Sequence, residues 1–314
     1  MKMRAQTLGA DMYASSDPRS KLDAASSKSL SPTAFAPASY CRFYGKPAPE
    51  QDENGRVWYA RGANFLVAYT EAFGDSRFVR ANQLDEWAII NPDKTCELIV
   101  ETSLGQTRID PYSVAFVPPG ESIVRAPSGG RFVRIFSTRS GDINAKCENA
   151  DQYSAKQPNI PPFQAWPEPR DGFRVRVYSL EVGDDPGRFG RIFRCTTLMI
   201  NILDPRVGPR DTSKLSPHHH DDFEQGSLVL DGDYIHDIRW PWTPDMALWR
   251  DDEHEQCGAP SLAVIPPLAI HTSRCIGKGF NQMVDIFSPP RMDFSKKNGW
   301  VLNAHDYPMP GDSH

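Results

Sequence analysis

Three consecutive histidines, His218, His219 and His220, stand in the run Ser216-Pro217-His-His-His-Asp221-Asp222-Phe223-Glu224-Gln225, and His271 follows the turn Pro266-Pro267-Leu268. Neutral imidazole is a common ligand of first-row transition metals. In an extended chain successive side chains alternate faces, so His218 and His220 converge on one side and His219 points to the other. A metal held by them needs further ligands from neighbouring strands. Gln225 or Glu224 lies on the next stretch of chain before Gly232, and His271 is the natural fourth ligand. A neutral Gln leaves a divalent site its full charge, whereas Glu lowers it by one, so Gln makes the stronger Lewis acid and the better host for an anion. Nitrogen-rich sites with one oxygen ligand accept Fe, Mn, Ni or Zn, and one such divalent ion is the expected cofactor. Tyr234, His236 and Arg239, on the stretch after Gly232, are the candidates for catalytic base and anion contact. Trp240 and Trp242, in a loop that also holds Trp249, are candidates for pocket walls; the alternative is that they close a barrel end or form a subunit contact. No histidine precedes His218, so the first half of the chain is expected to hold no metal.

These residues need short strands to hold them. Of 314 residues, 28 are Pro and 22 Gly, the punctuation of many strands joined by turns. One set of apolar, β-branched or aromatic runs comprises VWYARG (57–62), NFLVAYTEA (64–72), EWAII (86–90), CELIVET (96–102), SVAFVPP (113–119) and RFVRIFST (131–138). A second set comprises FRVRVYSL (173–180), RIFRCTTLMINIL (191–203), GSLVLDG (226–232), YIHDIRW (234–240), SLAVIPP (261–267) and FNQMVDIFSPP (280–290). Val114-Ala-Phe-Val-Pro-Pro-Gly120 and Leu262-Ala-Val-Ile-Pro-Pro-Leu268 repeat one another, each followed by a further strand, which predicts a duplicated β-domain. On this reading residues 1–36 are an arm without chemistry, free or draped on a partner subunit. Residues 37–139 form a first barrel without metal ligands, 140–170 a polar, Pro-rich linker, and 171–314 a metal-binding barrel. Ile123 stands where the repeat puts His271.

The spacing resembles that of the cupin family. Its first motif, His-x-His, four residues, Glu or Gln, six residues, Gly, is matched by His218, His220, Gln225 and Gly232. Its second, Pro-x-Gly-x-x-His, is matched by Pro266 through His271, with Leu268 where Gly is usual and no Asn four residues on; Asn281 comes later. Glu224-Gln225 with Val284-Asp-Ile-Phe-Ser-Pro-Pro-Arg-Met-Asp-Phe294 is similar to a subgroup that includes ring-opening enzymes acting on unsaturated uronates in pectin breakdown. The resemblance implies an all-β bicupin: two antiparallel jelly-roll barrels in one chain, the second carrying one metal on His218, His220, Gln225 and His271.

Three activities are compatible with that site. The first is a Lewis-acid isomerase or lyase acting on a small oxygen-rich acid. The second is a non-haem Fe(II) dioxygenase cleaving an enediol, diketone or catechol-like substrate. The third is a non-catalytic small-molecule-binding barrel. With Lys+Arg 35 against Asp+Glu 40 the net charge is −5, so no basic excess is available for nucleic acid or an anionic membrane, and the expected partner is a small-molecule substrate. No run of about 20 apolar residues and no apolar secretion core is present, and the six scattered cysteines include no CxxC; reduced thiols and a cytoplasmic homodimer are expected.

Overall fold

The structure, a computed structural model, describes residues 18–21, 35–183 and 185–312. Its regular elements are antiparallel strands with a few single helical turns, among them Gly141–Asn144, Ala150–Tyr153 and Met246–Leu248. None of its helices is long and apolar enough to cross a membrane. All six cysteines are buried and unpaired.

Each half builds one large and one small sheet. In the first half the large sheet runs Arg176–Ser179, Ser113–Val117, Trp87–Asn91, Gly130–Ser137, Phe65–Ala72, Gly55–Arg61 and Glu50–Asp52, and the small one Ser76–Gln83, Gly120–Ala126, Leu98–Thr102 and Gly105–Ile109. In the second half the large sheet runs Ser39–Arg42, Ser261–Ile265, Gln225–Asp231, Phe280–Phe287, Met199–Ile202 and Arg191–Arg194, with Arg206–Val207 beside Phe280–Phe287. Glu253–Gly258, Asp233–Arg239 and Ile270–Cys275 make its small sheet. The repeated strands Ser113–Val117 and Ser261–Ile265 occupy equivalent places, so the duplication read in the sequence is a duplication of topology.

Two strands depart from the boundaries expected above. Ser39–Arg42, assigned to the first barrel, pairs with Ser261–Ile265 of the second, and Arg176–Ser179, assigned to the second, pairs with Ser113–Val117 of the first. Each barrel thus takes an edge strand from the other half of the chain. Hydrophobic pattern shows that a strand exists but not which sheet edge it joins.

The exchange holds the large sheets face to face. On Phe65–Ala72, Phe65, Val67 and Tyr69 enter a core shared with Leu228, Leu262, Val284 and Ile286 of the second barrel, while Leu66 and Ala68 face inward onto Trp87, Phe132 and Phe136. A sheet buried on both faces needs apolar side chains at every position, which explains the unbroken runs of the sequence. The interior of the first barrel is packed with rings, Trp87 stacking on Phe136 at 4.9 Å. Ile123 is only half-buried there, and Ser122 is the buried residue beside it.

Candidate metal centre

The His-His-His run crosses the mouth of the second barrel and docks on the strand that follows the Pro-Pro turn. His218 N donates to His271 O at 3.0 Å, His271 N to His218 O at 2.7 Å, and Leu268 N to His220 O at 2.6 Å. Leu268 takes φ +70°, the left-handed conformation that glycine adopts without strain, so the turn keeps its backbone path although the side chain differs. Gly232, at φ +83°, leaves no room for a Cβ, which would lie 2.1 Å from Asn281 Oδ1. Asn281 also donates to the carbonyls of Arg206, Gly208, Gly277 and Gly279, pinning the loops at the far end of the barrel rather than serving the site.

These contacts bring together His218, His220 and His271, with one nitrogen of each within 4.8 Å of the others. His218 Nδ1 lies 3.0 Å from Ser216 O and His271 Nδ1 2.9 Å from Ala269 O. A carbonyl only accepts, so both Nδ1 atoms carry the proton and both Nε2 atoms offer a lone pair. His271 Nε2 is buried without a hydrogen-bond partner. His220 Nε2 is 2.9 Å from Gln225 Oε1, near the separation of about 3 Å between adjacent ligands that each sit about 2.1 Å from one ion. Gln225 Nε2 donates to Ser227 Oγ at 3.0 Å and Asp285 Oδ1 at 3.1 Å, which fixes the amide with its oxygen toward the histidines. A buried lone pair without a donor beside three convergent neutral ligands fits a divalent transition ion.

The three histidines are 7%, 5% and 2% exposed. Burial, together with the positive charges around them, pushes His218 and His220 well below the usual imidazole range and His271 down to about 4, so all three are neutral ligands at pH 7. Burial raises Asp285 to about 6. His219 turns away, its Nε2 3.2 Å from Asp221 Oδ1, as strand alternation requires. Glu224 also leaves the site: it accepts from Ala63 N and, at 3.1 Å, from Tyr153 Oη, both in the first half of the chain.

The remaining candidates divide by alternation. Tyr234, His236, Ile238 and Trp240 point inward from one strand, and Arg239 points out. His236 is fully buried, its Nδ1 2.8 Å from Ser273 Oγ and its Nε2 without a partner; burial lowers its pKa to about 4. Tyr234 instead packs among Val229, Cys275 and Met283. Arg239 is not brought to the histidines, because its outward face pairs it with Asp252 at 2.6 Å. Trp240 packs on Phe35 and donates Nε1 to Glu253 at 3.0 Å, closing the barrel. Trp242 is 76% exposed and stacks on Trp249 at 4.6 Å, so it forms no wall of this site.

Two residues escaped the sequence reading. Asp285 was legible as a lone acid in the apolar strand Phe280–Phe287, facing Gln225. Arg19, in the arm given no chemistry, is 7% exposed and donates to Ser216 Oγ at 2.7 Å, two residues from His218. Most of that arm, residues 1–17 and 22–34, lies outside the described residues.

No protein-family model matches the chain, and no curated protein matches it. Solved structures do share its fold. Oxalate decarboxylase from Lactobacillus farciminis, in a formate complex, has a TM-score of 0.52 at 13% identity, covering 80% of this chain and 86% of its own. AerE from Microcystis aeruginosa gives 0.51 at 7%, covering 78% and 97%, and a mutant of Bacillus subtilis oxalate decarboxylase gives 0.50 at 11%, covering 79% and 76%. The likeness extends over both barrels, and the fold is that of a bicupin.

Proposed function

We propose that the second barrel is the active site of a metal-dependent enzyme, a Lewis-acid lyase or isomerase acting on a small oxygen-rich acid, with His218, His220, Gln225 and His271 holding one divalent transition ion. The observation that carries this reading is the convergence of three buried, neutral imidazoles, two of them with Nδ1 committed to backbone carbonyls. A divalent ion held by this neutral ligand set would acidify a hydroxyl group bound to it, or the C–H beside a bound carboxylate. The chain then has to orient the acid and move a proton. His236 is the group that moves it: it is buried and neutral at pH 7, Ser273 Oγ lies 2.8 Å from its Nδ1, and its Nε2 has no hydrogen-bond partner. Burial of the whole set excludes bulk water and strengthens every charge contact inside. The resemblance of Glu224-Gln225 and its neighbours to the uronate ring-opening subgroup makes unsaturated uronates one acid class to assay, beside oxalate and 2-oxo acids.

Metal analysis of the purified chain, followed by anaerobic assay of these acids, tests the reading. About one first-row metal per chain and turnover without oxygen are expected. Iron with stoichiometric oxygen uptake would replace the lyase or isomerase by a dioxygenase, and a chain that retains no metal would be a binding barrel.

A further inference from the structure

A cavity of about 360 Å³ opens where the first barrel meets the segment that follows the turn Ala150–Tyr153, and none of the candidate metal ligands lines it. Its volume is that of a small-molecule site. Ala63, Ile160, Pro161 and Pro162 with the Tyr153 ring make its apolar part, Arg61 and Lys156 bring charge, and no acidic side chain lines it. Arg61 ends the strand Gly55–Arg61. Its guanidinium lies 4.8 Å from the centre of the Tyr153 ring, and Nε donates to Gly62 O at 3.1 Å, which fixes the plane of the group. Nη1 and Nη2 then form one open edge with no acceptor among the described residues. Glu224 is the acid that acts on Arg61, but its two oxygens accept from Ala63 N and Tyr153 Oη. Lys156 is exposed and takes part in no ion pair or hydrogen bond among the described residues. Even with Glu224 ionised, two cations face one acid, and the cavity keeps one positive charge unmatched.

We propose that this cavity is a second small-molecule site, built for a monocarboxylate with a ring-sized apolar body. The carboxylate lies on the Nη1–Nη2 edge of Arg61 with Lys156 beside it, and the body packs against Tyr153, Pro161 and Pro162. One guanidinium edge matches the two oxygens of a carboxylate donor for donor. A single unmatched charge is balanced by a monoanion, whereas a phosphate would bring more oxygens and more charge than one such edge can meet. The inference stands apart from the metal reading of the second barrel, since it uses none of those ligands.

The test titrates the full chain calorimetrically with benzoate, with its uncharged isostere benzamide and with inorganic phosphate. Saturable benzoate binding is expected, with benzamide and phosphate each about tenfold weaker or more. Arg61→Gln should weaken benzoate binding about tenfold to a hundredfold, and Lys156→Glu about tenfold. Because Lys156 is exposed, its variant keeps the fold and carries the test even if Arg61→Gln does not fold. His220→Ala, which removes a metal ligand, should leave benzoate affinity unchanged. Absence of saturable benzoate binding, or phosphate bound as tightly as benzoate, would overturn the proposal. So would benzoate binding that survives Lys156→Glu undiminished, or that disappears in His220→Ala, which would put the carboxylate at the histidines instead. A chain that retains no metal defeats the metal reading and leaves this result standing.

Discussion

Asp285 Oδ1 accepts from Gln225 Nε2 at 3.1 Å and, together with Ser227 Oγ at 3.0 Å, decides which end of the Gln225 amide faces the histidines. It also explains why an amide suits position 225. A glutamate there would set two buried carboxylates against each other where one now receives a proton donor. Asp285→Ala should free the amide to rotate and weaken metal retention about tenfold to a hundredfold, measured by competition with a chelator. Gln225→Glu should lower the stability of the metal-free protein by about 1–3 kcal/mol, and adding Asp285→Asn should restore most of it, because the asparagine supplies the lost donor. A denaturant double-mutant cycle with zero coupling would separate the two residues.

Ligation divides the histidine run by face. His220→Ala or His271→Ala should abolish stoichiometric metal binding, while His219→Ala, whose side chain turns to Asp221, should leave it intact. Metal analysis after dialysis reads this directly, and equal loss in all three variants would remove the assignment.

Glu224 provides a pH signature independent of the metal. Burial pushes its carboxyl from 4.5 up to about 7 despite the Ala63 and Tyr153 contacts. A raised folded-state pKa means that the folded protein holds this proton more tightly than the unfolded chain. The stability it contributes is full below about pH 4.5 and is lost as pH rises through 7. Glu224→Gln should match the unaltered protein near pH 4, then exceed it by up to about 3 kcal/mol by pH 8. Taking the difference between the two proteins cancels the opposite trend of the buried histidines. A pH-independent difference would show that Glu224 has the same pKa in the folded protein as in the unfolded chain.

The first barrel should bind no metal, because its interior is closed by stacked rings and no histidine precedes His218. The full chain should therefore hold one metal rather than two. A fragment ending near Asp171 lacks Arg176–Ser179 and leaves Ser113–Val117 as a bare apolar edge. It should aggregate or remain unfolded by circular dichroism, whereas one extended past Leu180 should gain regular structure.

What could be read beforehand was local. Alternation across His218-His219-His220 needs only neighbouring residues, and the Pro266-Pro267 turn returns the chain within a few more. Leu268 shows the backbone surviving a change of residue type. Arg239 was legible too: Ile238 and Trp240 are the apolar partners of its strand, so their face is inward and its own is not. Arg19 was beyond reach because its contact with Ser216 spans 197 residues and leaves no trace in local pattern. The edge positions of Ser39–Arg42 and Arg176–Ser179 were hidden for the same reason, since a four-residue strand carries no mark of the sheet it will join.

The exchanged strands also set an order of events during synthesis. Ser39–Arg42 emerges from the ribosome before either barrel has formed, and its partner Ser261–Ile265 is made near the end. The first barrel closes earlier, once Arg176–Ser179 appears. Ser39–Arg42, the first of the described strands, must therefore wait beside a completed neighbour until Ser261–Ile265 arrives to receive it, and the second barrel is finished with a strand made near the start of the polypeptide.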